Sequence, residues 1–485
     1  MSMAIGRAKN RNQKIFVNRS LNMSSITSIG FDMDHTLAPY NRENFEALAF
    51  NKTLEKLIHG GYPEELSQLK FDPKFVIRGL LVDVDRGNLL KVDSHKYVKI
   101  AFHGRRKLDK KERHSLYNSE SYKAQDFISI DTFFGLSEVQ LYTEIVDYMN
   151  THPGKIEKSF REIYLDVKQA IDLSHRDGTI KKNVLSAPEK YINKFEGRVN
   201  TLTRLIESGK DLFLMTNSHW EYTNTIMGFL FDSVHPEFSS WKSFFRYIIV
   251  GAGKPNFFTG NERFSRVLEN GDLVPHDNEL IMGEIYHGGN AKLFQNLTQQ
   301  KGDEILYLGD HIYGDIIRSK ELFNWRTLLV VEELDSELPL LQKLQQNFKD
   351  IKKKNTQREL QDETANVLRM QIRGLERRIR MSKLGSDQKK TNRLEKKLND
   401  AAKKLEKEEE KLRLLSQEIK NLLEQKDRFI LPVWGELMRV GLEKSRFARQ
   451  VELYACLYTS RFTNFRFYSP SKRFISHNDI MPHDY

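Results

Sequence analysis

Four short apolar segments restrict the fold more than any other feature, because each runs directly into polar residues. They are IGFDMDHTL (29–37), KDLFLMTNS (210–218), FFRYIIVGAGKP (244–255) and DEILYLGDHIYGD (303–315). A strand that is apolar throughout, rather than at alternate positions, is buried on both faces. Helical spacing follows the second segment, in EYTNTIMGFLF (221–231). Apolar strands alternating with helices predict an α/β core with a parallel sheet covered on both sides. In such a sheet the strand C-termini open onto the crevice where ligands bind, and all four polar clusters fall there.

The residue types in those clusters define a chemistry. Asp32 is placed to attack phosphorus and form an aspartyl-phosphate. Asp34 is the expected acid/base, protonating the leaving alkoxide and later deprotonating water. Thr216 offers a hydroxyl to the transferring phosphoryl. Asn217 and Ser218 stand beside it at a predicted helix start, where backbone N–H groups favour anions. Lys254 is expected to pair with both the phosphate and Asp32. An anionic nucleophile and a phosphate dianion repel each other, so Mg²⁺ is expected at Asp32, Asp310 and Asp315, with the backbone carbonyl of Asp34 as a further ligand. A second D-x-D, VDVD (82–85), lacks the Thr and the downstream clusters and reads as structural.

Spacing divides the rest of the chain. Asp34 and Thr216 lie 182 positions apart, Thr216 and Lys254 only 38. A cap that covers the site and carries specificity residues is therefore expected at 41–200, between catalytic-core segments 1–40 and 201–340. Further on, Leu394, Leu398, Ala401, Leu405, Leu412, Leu415, Ile419 and Leu422 recur at threes and fours, broken once at Glu408. Leu368, Ile372, Leu375 and Ile379 keep the same spacing upstream. With LGSD (384–387) as a turn, 341–430 predicts an antiparallel coiled-coil hairpin. Its arms of about 40 residues would run roughly 60 Å, either for a partner or as a solvated insertion. The aromatic-rich segment 431–485, helical in spacing, is expected to pack on the core.

Composition narrows the setting. The one cysteine, Cys456, excludes an intramolecular disulfide and fits a reducing, cytoplasmic compartment. No apolar run approaches the roughly 20 residues of a membrane span. The basic start, MSMAIGRAKNRNQK, lacks the apolar stretch of a secretory signal. The net charge of +11 reads as attraction for anionic substrates, because no basic run is interleaved with aromatics. Neither a membrane nor a nucleic-acid partner is expected.

The four clusters, in this order, are the motif set of the haloacid-dehalogenase (HAD) superfamily. The resemblance extends through FVNRSLNMSSITSIGFDMDHTLAPY, RGLLVDVDRGNLLKVD, DLFLMTNSHWEYTNTIMGFLFD and ILYLGDHIYGDIIRSK. It resumes at SRFARQVELYACLYTSRFTNFRFYSP. The chain is similar to the type II, IMP/GMP-preferring cytosolic purine 5′-nucleotidases over most of its length except the hairpin. The resemblance implies a HAD-type Rossmannoid core with an α+β cap inserted after the first motif. It also implies Mg²⁺, homo-oligomers, and hydrolysis of purine nucleoside 5′-monophosphates through a phosphoenzyme that can also pass its phosphoryl to a nucleoside acceptor.

Carried over residue by residue, Asp32 takes the nucleophile's place and Asp34 the acid/base's. Thr216, Asn217 and Ser218 fall on the phosphate-binding turn, Lys254 on the phosphate lysine, and Asp310 on the metal aspartate, supported by Asp315. Phe134 matches the aromatic that stacks on the base. Asp172, His175 and Lys181, in DVKQAIDLSHRDGTIKK (166–182), match the purine and ribose pocket. Lys168 replaces an arginine that contacts the base, and Gly135 an asparagine. At the family's nucleotide effector site Lys320 and Gln450 match. Ser121, Asp131 and Leu453 do not, which argues against ATP-type activation. Two other readings fit these residues: a HAD phosphatase for a different phosphomonoester, and a coiled-coil scaffold on a HAD core.

Overall fold

The computed structural model describes residues 10–117, 127–384 and 388–477. Its centre is a set of parallel strands: β1 (Ser28–Phe31), β2 (Asp211–Met215), β3 (Tyr247–Val250), β4 (Ile285–Gly288), β5 (Ile305–Gly309), β6 (Arg326–Val330) and β7 (Leu457–Thr459). They lie in the order β7-β6-β5-β1-β2-β3-β4. Antiparallel strands extend both edges, Phe16–Val17 beside β7, and Phe264–Val267 then Leu273–His276 beyond β4. The strands are buried because successive side chains feed two cores. Phe31, Leu214, Ile248 and Leu308 join one face; Phe213, Ile249, Tyr307 and Trp325 join the other.

Register fixes the site. β1 lies between β5 and β2, with Gly30 opposite both Tyr307 and Phe213. A Cβ at Gly30 would stand 2.2 Å from the Phe213 ring and 2.7 Å from the Tyr307 ring. The glycine thus lets two aromatic side chains cross over β1. Asp32 leaves β1 flanked by the ends of β2 and β5, which deliver Thr216 and Asp310.

Between β1 and β2 the chain forms an α+β region. Its antiparallel sheet runs Arg106–Lys107, Val98–His103, Asn88–Val92, Leu81–Asp83, Ile128–Ser129. Helices α1 (Arg42–His59), α2 (Gly135–Thr151) and α3 (Phe160–Arg176) pack with one another. α3 opens on a capping box in which Ser159 and Glu162 satisfy each other's N–H groups. The VDVD segment is structural: Asp83 accepts a hydrogen bond from Tyr117 (2.8 Å) and pairs with Arg86 (3.1 Å), and Asp85 pairs with Arg161 (2.7 Å).

After β2, helix α4 (Trp220–Phe231) begins at Trp220, with His219 as its cap, two residues after the expected start at Asn217 and Ser218. The C-terminal segment departs from its helical reading. Arg446–Tyr454 is a helix, but Leu457–Thr459 becomes β7, paired in parallel with Leu328–Val330. Pairing on a buried sheet edge overrides the local spacing there.

Residues 339–435 make a separate compact unit. It contains α5 (Gln345–Leu384) and α6 (Gln388–Ile430). They run antiparallel, with cross-pairs Lys354–Glu418 (2.5 Å), Arg369–Glu409 (2.9 Å) and Lys383–Glu395 (3.0 Å). Ile351, Ala365, Ile379, Ala401 and Ile419 are buried along the seam. Residues 385–387 of the expected turn lie outside the described residues. Among the described residues no helix is long and apolar enough to cross a membrane.

Candidate active site

The turn after β1 is built by main-chain bonds. Asp32 N donates to Leu308 O (2.8 Å), carrying the β1–β5 pairing one residue further. Leu37 N and Ala38 N both donate to Met33 O (2.9 and 2.8 Å). Closing this turn puts His35 at φ +54°, a region that non-glycine residues seldom adopt. The turn aims Asp34 away from Asp32's partners. Oδ1 of Asp34 accepts from Tyr40 Oη (2.7 Å) and Oδ2 from Ser218 Oγ (2.9 Å). Tyr40 and Tyr222 hydroxyls are themselves 2.7 Å apart.

Lys254 follows β3 and is buried. Its Nζ lies 2.9 Å from Asp32 Oδ1 and 2.7 Å from Asp315 Oδ1, and donates to Tyr307 Oη (2.8 Å). Asn217 fixes the lysine's main chain: its Oδ1 accepts from Lys254 N (2.7 Å) and its Nδ2 donates to Lys254 O (2.9 Å). With both ends of its amide engaged, Asn217 positions the lysine. Thr216 N donates to Ile249 O (3.0 Å), and Thr216 Oγ1 accepts from Ser218 N (3.0 Å).

The end of β5 supplies the remaining acids. Asp315 sits in a π-helical turn, Ile312–Ile317, a form common at functional sites. Its Oδ2 accepts from His311 N (3.1 Å). A Cβ at Gly309 would stand 2.3 Å from Asp315 Oδ2, so only glycine lets that carboxylate fold back over β5. Asp310 is held through its main chain: Arg78 Nη1 donates to Asp310 O (2.7 Å). Arg78 is fully buried, forks onto Glu333 (2.8 and 2.6 Å) and stacks 3.9 Å over the Phe133 ring.

Carboxylate oxygens of Asp32, Asp310 and Asp315 lie within 4.8 Å of one another. Against three ionised carboxylates Lys254 brings one positive charge, and Arg78, 3.8 Å from Asp310 Oδ2, is already balanced by Glu333, so this buried group is two charges short of neutral. The deficit shows in the proton affinities. Burial pushes Asp32 up to about 8 despite Lys254, with Asp315 and Asp34 adding to the rise. Burial likewise holds Asp310 well above the carboxylate range, against the pull of Arg78. Burial opposes the charge on Lys254, but Asp315 and Asp32 outweigh it and push its pKa well above the lysine range. Asp310 Oδ2 is buried with no hydrogen bond. Oxygen donors, a deficit of two charges and an unsatisfied carboxylate oxygen fit a hard divalent cation. The side chain of Asp34 is outside this trio; its backbone carbonyl is the part expected at the metal.

The model of the 5′ nucleotidase family matches residues 15–485. The chain belongs to that family. Phosphate-ester hydrolysis is the chemistry the family's name carries. Across 483 residues (98% of this chain, 75% of the relative) the chain is 29% identical to a 5′-nucleotidase domain-containing protein of Dictyostelium discoideum. It is 32% identical to 5′-nucleotidase domain-containing protein 2 of Rattus norvegicus over 343 residues, 67% of this chain and 60% of that protein. CbbY from Rhodobacter sphaeroides, solved in complex with phosphate, aligns at 12% identity and a TM-score of 0.24, covering 63% of this chain and 86% of that one.

In this nucleotidase-family chain the cap residues sit beside Asp34's partners. The Phe134 ring meets His35 at 5.2 Å, Tyr40 at 6.2 Å and His175 edge-on at 6.1 Å. Lys181 Nζ lies 5.7 Å from the centre of the Tyr222 ring. Burial, reinforced by Lys181, lowers the pKa of His175. Lys168 and Asp172 are half exposed and paired with each other (3.6 Å) on one face of α3, with Glu138 4.0 Å from the lysine. At the expected effector positions Asp131 is paired with Arg446 (2.7 Å), Lys320 donates to Tyr454 O (3.1 Å), and Ser121 lies outside the described residues.

Sequence reasoning missed Tyr40, Tyr222, Arg78 and Glu333. Tyr222 stands four residues after Ser218, in the first turn of α4, which is a local signal. The Arg78–Glu333 fork joins positions 255 apart and has none.

Proposed function

We propose that the chain is a Mg²⁺-dependent 5′-nucleotidase that hydrolyses purine nucleoside 5′-monophosphates of the GMP/IMP type. The observation that carries this reading is Lys254 held between Asp32 and Asp315 at the mouth of a parallel sheet. An Asp32 oxygen attacks phosphorus and the bond from phosphorus to the 5′ oxygen breaks. The leaving alkoxide takes a proton from Asp34. Water then returns that proton to Asp34 and attacks the aspartyl-phosphate, releasing phosphate and restoring Asp32. Lys254, the Thr216 hydroxyl and N–H groups at the start of α4 bear the charge that develops on the phosphoryl oxygens. Asp32, Asp310 and Asp315, with the Asp34 carbonyl, would hold Mg²⁺, which when bound neutralises charge between nucleophile and phosphate. A nucleoside in place of water would make the reaction a phosphotransfer.

Phe134 supports base stacking, with His175 and Lys181 beside it. The single cysteine and the family resemblance support a cytoplasmic homo-oligomer. One observation favours a second reading, a phosphatase for other phosphomonoesters: the Asp172 carboxylate, the candidate reader of the base edge, is already paired with Lys168. Phosphate release from GMP, IMP, AMP and sugar phosphates, each with Mg²⁺ and with EDTA, tests both. The nucleotidase reading expects the 6-oxopurine nucleotides to lead and EDTA to abolish turnover. Equal rates on sugar phosphates favour the second reading.

A further inference from the structure

The net charge of +11 is unevenly spread along the chain. Residues 345–430 contain 24 Lys and Arg against 15 Asp and Glu, a net +9, which leaves +2 for all the rest. Within the hairpin the excess is again confined. The half nearest the helix ends at 345 and 430 has 10 basic and 10 acidic residues. It carries the pairs Lys354–Glu418, Lys411–Glu408 and Arg413–Glu410. The distal half, 369–407, has 14 basic and 5 acidic residues. Arg369 and Lys383 make cross-helix pairs there, with Glu409 and Glu395. Arg373, Arg377 and Arg380, at spacings of four and three along one side of α5, are exposed. So are Lys396, Lys397 and Lys403 on α6. None of these six lies in an ion pair among the described residues.

A hairpin that only needed solubility would mix its charges throughout, as the proximal half does. Like charges one helical turn apart repel, so the distal half gives up stability to hold this pattern. We propose that the distal half of the hairpin binds the phosphate backbone of double-helical nucleic acid without reading its sequence. The distal cations lie along roughly 25–30 Å of rod at 1.5 Å per residue, over which a duplex presents on the order of 15 phosphates. The occupant follows from what the segment lacks. Residues 369–407 contain no Phe, Trp or Tyr. Single strands are held by stacking on aromatic rings, and helices that lie on membranes need a continuous apolar face. The exposed apolar side chains here are Met370, Met381 and Leu384, too scattered for such a face. Backbone binding to a duplex requires only placed Lys and Arg. This inference is independent of the nucleotidase reading.

The test is fluorescence anisotropy of the full chain with labelled duplex RNA and duplex DNA of unrelated sequences, over a series of KCl concentrations. The wild-type chain is expected to bind regardless of sequence, with affinity falling steeply as salt rises. The variant K396Q/K397Q/K403Q/K404Q should bind at least roughly tenfold more weakly, its log–log salt slope shallower by about 0.9 for each phosphate no longer neutralised. The control K352Q/K353Q, in the neutral half, should bind as wild type. Circular dichroism checks that both variants keep their helix content. No duplex binding by the full chain, equal binding by the fourfold variant, or capture by phosphatidylserine vesicles without capture by duplex would overturn the proposal.

Discussion

Lys254 Nζ lies 2.9 Å from Asp32 Oδ1 in a pocket where both side chains are buried. The lysine is the one ammonium in contact with the nucleophile among the described residues, and Tyr307 and Asp315 hold it there. Lys254→Met keeps the length of the side chain and removes the charge. It should lower kcat by roughly 10²–10³, the usual cost of losing a preorganised electrostatic group. Thermal unfolding of this variant should also depend more on Mg²⁺ than that of wild type, because the acid cluster is then three charges short. Steady-state kinetics and melting curves with and without Mg²⁺ measure both effects.

Asn217 touches the main chain of Lys254 twice. Replacing it with Leu removes both bonds while filling a similar volume. If Asn217 positions the lysine, kcat should fall by roughly tenfold or more while KM changes less, since misplacement acts on the transition state. A rise in KM with kcat intact would instead make Asn217 a direct phosphate ligand.

Arg78 secures Asp310 from behind. The fork onto Glu333 and the bond to Asp310 O need a planar guanidinium. Arg78→Lys should raise the Mg²⁺ concentration for half-maximal activity by roughly 10–100-fold, as lost support of metal ligands does. Most of kcat should return at saturating Mg²⁺. Arg78→Ala leaves Glu333 buried and unpaired, and should cost about 3–5 kcal/mol of stability in denaturant titrations. A normal Mg²⁺ curve in the lysine variant would remove Arg78 from the site.

These contrasts show where the sequence was legible. Asp32, Thr216, Lys254 and Asp310 each terminate an apolar strand, so a local pattern announced them, and parallel register then had to bring them together. The two long helices near the C-terminus were equally readable, because three-and-four spacing is local. Arg78 and Glu333 carry no such mark, since they are partners 255 positions apart and only packing selects them. β7 was missed because Leu457–Thr459 is short and follows a helical stretch; its strand character comes from the edge of β6. The charge of +11 is a sum over the chain, and only a count by segment shows that +9 of it falls in residues 345–430.

Glu46, on α1, gives a pH dependence. Burial pushes it up to about 7 from an ordinary value of 4.5, against the pull of Arg42 and of hydrogen bonding with Ser137. The folded chain therefore keeps a proton that the unfolded chain releases. Stability from this group is complete below about pH 4.5 and is lost as pH rises toward and through 7, by at most about 3 kcal/mol. Glu46→Gln cannot ionise. Its melting temperature should hold up between pH 5 and 7.5 where that of wild type declines, and parallel curves for the two proteins would contradict this.

The central claim is that Asp32 becomes phosphorylated. Mixing the enzyme with GMP and Mg²⁺, quenching within one turnover, and reducing with borohydride would convert an aspartyl-phosphate to homoserine. Peptide mass spectrometry should find that conversion at position 32, and find none in Asp32→Asn. Rapid phosphate release with residue 32 unmodified, or homoserine at another aspartate, would contradict the account.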